Sequence, residues 1–222
     1  MKTAEILCAG ERLHLFAERA VFWPKRKTLL ISDPHFGKAS AFRHAGVAVP
    51  EDVTAHDLQR LTALLGEVCA ERLIILGDFL HARSGRSAAT MEALERWCAQ
   101  HSSLQTVLVT GNHDRLAGNP PACWNIHLAG AELREGPFAF CHEPQTIEKH
   151  YVMSGHIHPS ICLNRDFGSS LRLPCFVFGE TFAIFPAFGS FTGTHVMKPE
   201  KSARVFAIRE GELMQIPSSL LK

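Results

Sequence analysis

TLLISDPHFG, residues 28–37, is an apolar run that breaks into an aspartate and a histidine one residue apart. A run this short, closed by Pro34 and Gly37, reads as a buried strand followed by a tight loop. The same layout recurs along the chain. Leu73 to Leu76 runs into Gly77-Asp78, Val107 to Thr110 into Gly111-Asn112-His113-Asp114, Phe138 to Phe140 toward His142, and Tyr151 to Met153 into Gly155-His156-Ile157-His158. Each strand delivers polar residues at its C-terminal end. In open α/β sheets that edge is where sites form, because the strands hold rigid the loops that converge there.

Between the early strands lie helical patterns. From Pro50 to about Cys69, Val53, Leu58, Leu61, Leu64, Leu65 and Val68 recur near three and four, and Pro50 suits a first helical turn. A second helix is expected from about Ala88 to Gln100, with Met91, Leu94, Trp97 and Cys98 on its apolar side. The first half is thus β-α-β-α-β. After Gly118 short strands with Gly, Pro and Asn punctuation take over, ending in Val205 to Ile208 and Leu213 to Ile216 around a Glu210-Gly211 hairpin turn. The expected architecture is α/β: two packed mixed sheets flanked by helices, in one domain spanning 1–222 with no linker, repeat or low-complexity segment.

Composition fits that reading. A chain of 222 residues with 46% hydrophobic and 20% charged residues can bury a core without disulfides. Lys plus Arg (23) nearly cancels Asp plus Glu (22), so the overall charge carries no sign of a nucleic-acid or membrane partner. Seven cysteines without a C-x-x-C pair fit reduced thiols. Glu5, Glu11, Arg12 and His14 interrupt the N-terminal apolar residues, so no leader or membrane span can be drawn there, and the expectation is a cytoplasmic protein.

Thirteen histidines matter only where they converge. Taken singly, Asp33-x-His35 and Gly77-Asp78 read as ordinary turns, His142 as structural, and Gly155-His156-x-His158 as a hairpin or mononuclear site. Taken together, in this order and all at strand ends, they form a ligand set of carboxylates, imidazoles and one amide, suited to a divalent cation such as manganese, iron or zinc. In an extended segment His156 and His158 would face one side, with Ile157 on the other. Cys141, one residue before His142, would point away from the site into the core.

In order, D-x-H, G-D, G-N-H-D, H and G-H-x-H resemble the complete motif series of the calcineurin-like metallophosphoesterase superfamily. WPKRKTLLISDPHFGKASAFRHAGVAVP, GDFLHARSG, EGPFAFCHEP, SGHIHPS, LRLPCFVFG and FPAFGSFTG further resemble the DNA ligase-associated metallophosphoesterase (DNA damage response endonuclease) family over most of the chain. Pro34 stands where that family usually has an aliphatic residue, which implies a stiffer loop. The resemblance implies a four-layer α/β/β/α fold, a centre of two divalent metal ions with manganese favoured, and phosphodiesterase or DNA endonuclease activity. It also implies association with an ATP-dependent DNA ligase, a helicase and a nuclease in repair. By the same resemblance one metal takes Asp33, His35 and His158, the other Asn112, His142 and His156, and Asp78 bridges them. His113 is then the catalytic histidine that is not a ligand, and Asp114 orients it or balances its charge.

Two cations about 3.5–4 Å apart can share a water, lower its pKa and present hydroxide to the phosphorus, while an imidazolium at His113 protonates the leaving oxygen. His81, Arg83, Arg86 and Arg43 are candidate contacts to substrate phosphates, although basic residues in a loop, Lys38 and His44 included, are commonly just solvated. The phenylalanines from Phe176 to Phe191 read as core or interface packing. Two other functions share the pattern: a phosphoesterase of a small nucleotide or cyclic nucleotide, marked by a closed pocket, and a scaffold for repair partners, marked by eroded ligands. No ligand position is eroded here.

Overall fold

The computed structural model describes residues 2–164 and 170–221. Two mixed sheets pack face to face, flanked by helices. The first sheet has seven strands in sequence order. Three antiparallel strands, β1 (Thr3–Cys8), β2 (Glu11–Phe16) and β3 (Ala20–Trp23), lead into the parallel set β4 (Thr28–Ile31), β5 (Arg72–Leu76), β6 (Gln105–Val109) and β7 (Ile126–Gly130). Helices α1 (Lys38–His44), α2 (Val53–Glu67), α3 (Ala88–Gln100) and α4 (Asn112–Ala117) connect that parallel set.

Strand alternation builds two cores from one sheet. Leu29, Ile31, Leu73, Ile75 and Leu108 pack with Leu58, Leu61 and Leu65 of α2 and Leu94 and Trp97 of α3. Leu30, Ile74, Leu76, Val107 and Val109 point the other way, into a second cluster with Phe138, Phe140, Met153, Phe176, Phe178 and Phe206 of the facing sheet. Adjacent residues serve opposite faces, as a strand buried on both sides requires.

The second sheet contains β8 (Glu132–Glu135), β9 (Phe138–Cys141), β10 (Tyr151–Ser154), β11 (Pro159–Asn164), β12 (Ser170–Phe178), β13 (Phe182–Ile184), β14 (His195–Val196), β15 (Arg204–Arg209) and β16 (Glu212–Ile216). Within it β10 runs parallel to both β9 and β13. Its far face packs Cys175, Val177, Val205, Ala207 and Ile216 with Ala203 and Leu221. The four α-helices of the described residues all belong to the first half, and Ala203 and Leu221, which lie outside the strands, pack onto this far face.

The expected strands and the helix at Ala88–Gln100 form where the pattern placed them. Glu210 and Gly211 both take positive φ (52° and 76°), the conformation of a two-residue hairpin turn. Three features differ. Helix α2 begins at Val53 after Asp52, so Pro50 lies in the preceding loop and not in the first turn. The N-terminal stretch forms β1 to β3. Gly111 to Asp114, expected only as polar residues at a strand end, is the start of helix α4, with Gly111 at the N-cap.

Candidate metal centre

Asp33, His35, Asp78, Asn112, His142, His156 and His158 converge on one edge of the sandwich, at the ends of β4, β5, β6, β9 and β10. The ligand atoms of Asp33, His35 and His158 all lie within 4.8 Å of one another, as do those of Asp78, His142 and His156. Asn112 joins the second group through its Oδ1, 2.8 Å from His142 Nε2.

The local backbone is unusual. Asp33, His35, Asp78, His156 and His158 all adopt positive φ, between 47° and 66°. Each such residue costs about 1–3 kcal/mol and persists only where the surroundings over-determine it. Here backbone hydrogen bonds do so: the His35 amide donates to the Asp78 carbonyl (2.9 Å), the Phe36 amide to Phe79 (2.9 Å), and the His81 amide to Phe36 (3.1 Å). The reading of His156 and His158 as an extended pair is therefore corrected. Both are left-handed, and their rings serve different groups, His158 facing Asp33 and His35 while His156 faces Asp78 and His142.

Each carboxylate is held by one oxygen and presents the other. Asp33 Oδ2 accepts from the His156 amide (2.9 Å), while Asp33 Oδ1 is buried without a hydrogen-bond partner, 3.4 Å from His158 Nε2. Asp78 Oδ1 accepts from the His113 amide (2.9 Å), and Asp78 Oδ2 lies 3.7 Å from His35 Nε2 and 3.5 Å from His142 Nε2. That oxygen stands between the two groups. Close backbone approach makes this possible: a Cβ on Gly111 would strike Asp78 Oδ1, and one on Gly155 would strike Asp33 Oδ2.

The imidazoles are oriented through their other nitrogens. His142 Nδ1 donates to the Leu76 carbonyl (3.0 Å) and His158 Nδ1 to the Gly193 carbonyl (3.2 Å), which leaves both Nε2 lone pairs facing inward. His35 Nδ1 lies 3.3 Å from His81 Nδ1. Burial, with His113 and Lys38 nearby, pushes His81 down to about 4, so His81 is neutral and able to share one proton with His35 across this contact. Burial likewise drives His35 far below the usual histidine range, helped by His158 and Lys38.

This donor set fits a metal pair. Asp33 and Asp78 are both essentially inaccessible, and their ion-pair contacts among the described residues are all to histidines, not to Arg or Lys. Two buried carboxylates, one with an orphaned oxygen, are costly unless a cation meets them. His35 Nε2 and His158 Nε2, 3.2 Å apart, and His142 Nε2 and His156 Nδ1, 3.1 Å apart, turn nitrogen toward nitrogen, as ligands around a shared cation would.

The family profile for calcineurin-like phosphoesterases matches residues 26–179, which contain every one of these residues. The chain belongs to the calcineurin-like phosphoesterase family. It is accordingly a metal-dependent hydrolase, and dinuclear divalent metal is that family's cofactor. A crystal structure of Pseudomonas putida nuclease MPE is similar to it at 41% identity and a TM-score of 0.85, covering 96% of this chain and 100% of that one. An E. coli phosphoesterase, Yfce, is 14% identical over 88% of this chain and 99% of that one, with a TM-score of 0.43 too low to argue from. Among curated proteins none matches the chain.

The remaining candidates divide. His113 stands at the centre, its ring stacked on His81 (4.8 Å, 20°) and edge-on to His35 (5.0 Å), with Nδ1 donating to the His81 carbonyl (2.7 Å). Asp114, expected beside His113 as its partner, instead accepts from the Leu80 amide (3.1 Å) and the Gly111 amide (2.9 Å), and burial pushes it up to about 6. The partner that fixes His113 is a carbonyl, because helix α4 turns Asp114 back toward its own N-terminus. The arginines are engaged elsewhere. Arg43 donates to the Val49 (3.2 Å) and Pro50 (2.6 Å) carbonyls, Arg83 to Leu116 (3.3 Å), and Arg86 to Ala117 (3.3 Å), Gly118 (3.0 Å) and Asn119 (3.0 Å).

Lys38, grouped in the sequence with Arg43 and His44 as a commonly solvated basic residue, is half-buried and close enough to feel both Asp33 and Asp78. One feature went unread in the sequence. Gly111 and Gly155, the cradles of the two carboxylates, each directly precede a ligand, and that repeated Gly-ligand order is the signal that could have found them.

Proposed function

We propose that the chain is a dinuclear phosphodiesterase that cuts DNA. Asp33, His35 and His158 would hold one divalent cation and Asn112, His142 and His156 the other, with the Asp78 carboxylate available to both. The observation behind this reading is Asp78 Oδ2, within 3.7 Å of an imidazole nitrogen of each group. A bound cation pair supplies Lewis-acid activation of water and offsets the charge that grows on the phosphate. Carboxylate, imidazole and amide donors without thiolate suit manganese, iron or zinc, and the sequence resemblance favours manganese among them.

The chain's own residues do the rest. His113 has Nδ1 committed to the His81 carbonyl, so Nε2 is the atom that hands a proton to the leaving oxygen. With His35 Nε2 as a ligand, the His35 proton lies on Nδ1, and neutral His81 would accept it through Nδ1. Lys38 adds a positive charge for a nonbridging phosphate oxygen. Asp114 ties the start of α4 to Leu80 and thereby sets where Asn112 and His113 stand.

A nucleic-acid substrate is supported by likeness to the Pseudomonas putida nuclease, and the choice of DNA rests on the sequence resemblance. Work beside a DNA ligase, helicase and nuclease in cytoplasmic repair rests on the sequence resemblance. The test is hydrolysis of bis-p-nitrophenyl phosphate, p-nitrophenyl phosphate and single-stranded DNA by manganese-loaded protein, with Asp78→Ala as the blank. Diester and DNA cleavage absent from the blank supports the proposal. Turnover of small esters alone replaces DNA with a nucleotide substrate, and no metal-dependent turnover at all ends the enzymatic reading.

A further inference from the structure

A charged cluster, buried at Asp57 and part-buried at Arg19 and Arg60, lies outside the ligand set, and one short segment links it to Asp33. Arg19, in the turn between β2 and β3, donates through Nη1 to the carbonyls of Ala187 (3.1 Å) and Gly189 (3.2 Å). Arg60 of α2 donates to the carbonyl between them, Phe188, and its guanidinium lies 4.1 Å from the centre of the Phe188 ring. Asp57, one turn earlier on α2, pairs with Arg60 at 3.2 Å and accepts from the Ser190 amide with both oxygens (3.2 and 3.0 Å). Three charged side chains thus hold four consecutive backbone units, 187–190.

The other edge of that segment grips the Asp33 loop. The Phe188 amide donates to the Ser32 carbonyl (2.7 Å), the Gly189 amide to the Asp33 carbonyl itself (3.3 Å), and the Ser32 hydroxyl to the Pro186 carbonyl (3.3 Å). Segment 186–190 is therefore a strap with the charged cluster on one side and Asp33 on the other. Asp33 needs such a hold, because it sits at φ 49° with a bare inward oxygen.

Stability alone gives a weak reason for this cluster. Asp57 is 2% exposed and Arg60 keeps a buried Nε with no partner, and apolar side chains of similar volume commonly do as well as a buried ion pair. What the cluster does that apolar residues cannot is fix carbonyl and amide directions, and a metal site is sensitive to that, since lost outer supports typically cost about 10–100-fold in metal affinity.

We propose that Arg19, Asp57 and Arg60 are positioning residues for the metal site of Asp33, acting through the 186–190 strap. The inference rests on the two-metal reading above. It makes Arg60, which is remote in sequence from every ligand, a determinant of how tightly the Asp33, His35 and His158 site holds its cation, with little effect on the site of Asn112, His142 and His156.

The test is Mn2+ titration calorimetry on metal-free protein, with urea unfolding in parallel, for the wild type, Arg60→Met, Arg60→Lys and Leu64→Ala. Leu64 is a buried residue of the same helix that serves as a control for general destabilisation. The expected result is one of two Mn2+ steps weakened about tenfold or more in Arg60→Met, partly restored in Arg60→Lys, and unchanged in Leu64→Ala. Should Arg60→Met not fold, Asp57→Asn, which removes the charge and keeps an oxygen for the Ser190 amide, is read by the same isotherm. Unchanged Mn2+ steps in a folded cluster variant overturn the proposal, as does equal weakening in Leu64→Ala. A wild type that binds no pair of Mn2+ ions removes the two-metal reading itself, and the strap's role falls with it.

Discussion

The two sheets deliver their ligands in the same way but hold them differently. In both, ligands leave the C-terminal ends of parallel strands, β4, β5 and β6 in the first sheet and β9 and β10 in the second. The first sheet's carboxylates are sunk in the protein, and their loops are zipped together by backbone hydrogen bonds. The second sheet contributes only imidazoles. His158 is part-exposed and His156 exposed, and single bonds to carbonyls aim the rings of His142 and His158. On the proposed ligand set the contrast is a division of labour: the first half would place the buried charge, and the more exposed histidines of the second would complete each coordination shell. Damage to the first sheet should therefore cost more than damage to the second.

The sharpest break in that contrast is Asp78→Ala against His156→Ala or His158→Ala. Loss of the shared carboxylate should empty both metal positions and cut hydrolysis by at least about 10³-fold, equivalent to roughly 4 kcal/mol of barrier. Loss of either histidine should leave one metal per chain. Metal analysis of the purified variants decides it, and an Asp78→Ala protein that retains two metals would remove the bridging role.

His113→Ala separates chemistry from binding. With His113 outside both ligand groups, Mn2+ content should stay at the wild-type level while kcat falls by about 10²-fold or more, the usual worth of a positioned proton donor. If metal is lost along with the rate, His113 is a ligand and the assignment of its Nε2 to the leaving oxygen is wrong.

Gly155→Ala probes the seam between the halves. The new methyl would press on Asp33 Oδ2 and Ser32, so Asp33 must shift, at a cost of about 1–3 kcal/mol in stability. Mn2+ affinity at the Asp33 site should fall by about tenfold. A crystal structure of the variant with Asp33 unmoved and full affinity would show the cradle to be slack.

The sandwich was legible because each strand that carries a ligand is a compact apolar run, and α3 because three turns suffice to show a helical period. Strand β1 was hidden by its own composition: Ala4 and Cys8 are small inward residues, while Leu7 faces out at 67% exposure. Helices α1 and α4, of seven and six residues, are too short to display a period. The ligands themselves could be named from residue type and order. Their left-handed backbone could not, since neither Asp nor His encodes positive φ, and only hydrogen bonds between distant loops impose it.

Arg86→Ala, the smallest expected effect, bears on what the basic residues near the centre do. Sequence reasoning set Arg86 beside His81, Arg83 and Arg43 as a phosphate contact, yet its Nη1 satisfies the carbonyls of Ala117, Gly118 and Asn119, where helix α4 ends. A side chain closing a helix terminus contributes about 1–2 kcal/mol, and its loss should appear as a lower urea midpoint with unchanged Mn2+ content. A phosphate contact behaves differently: it would leave stability alone, weaken DNA binding and flatten the salt dependence by about one unit of slope. Because Arg86 acts at the end of α4 opposite to Asn112 and His113, a loosened terminus should reach the chemistry only as a few-fold change in kcat. A flattened salt slope with an intact urea midpoint would return Arg86 to the substrate and extend the first sheet's part in the division of labour from holding metal to holding DNA.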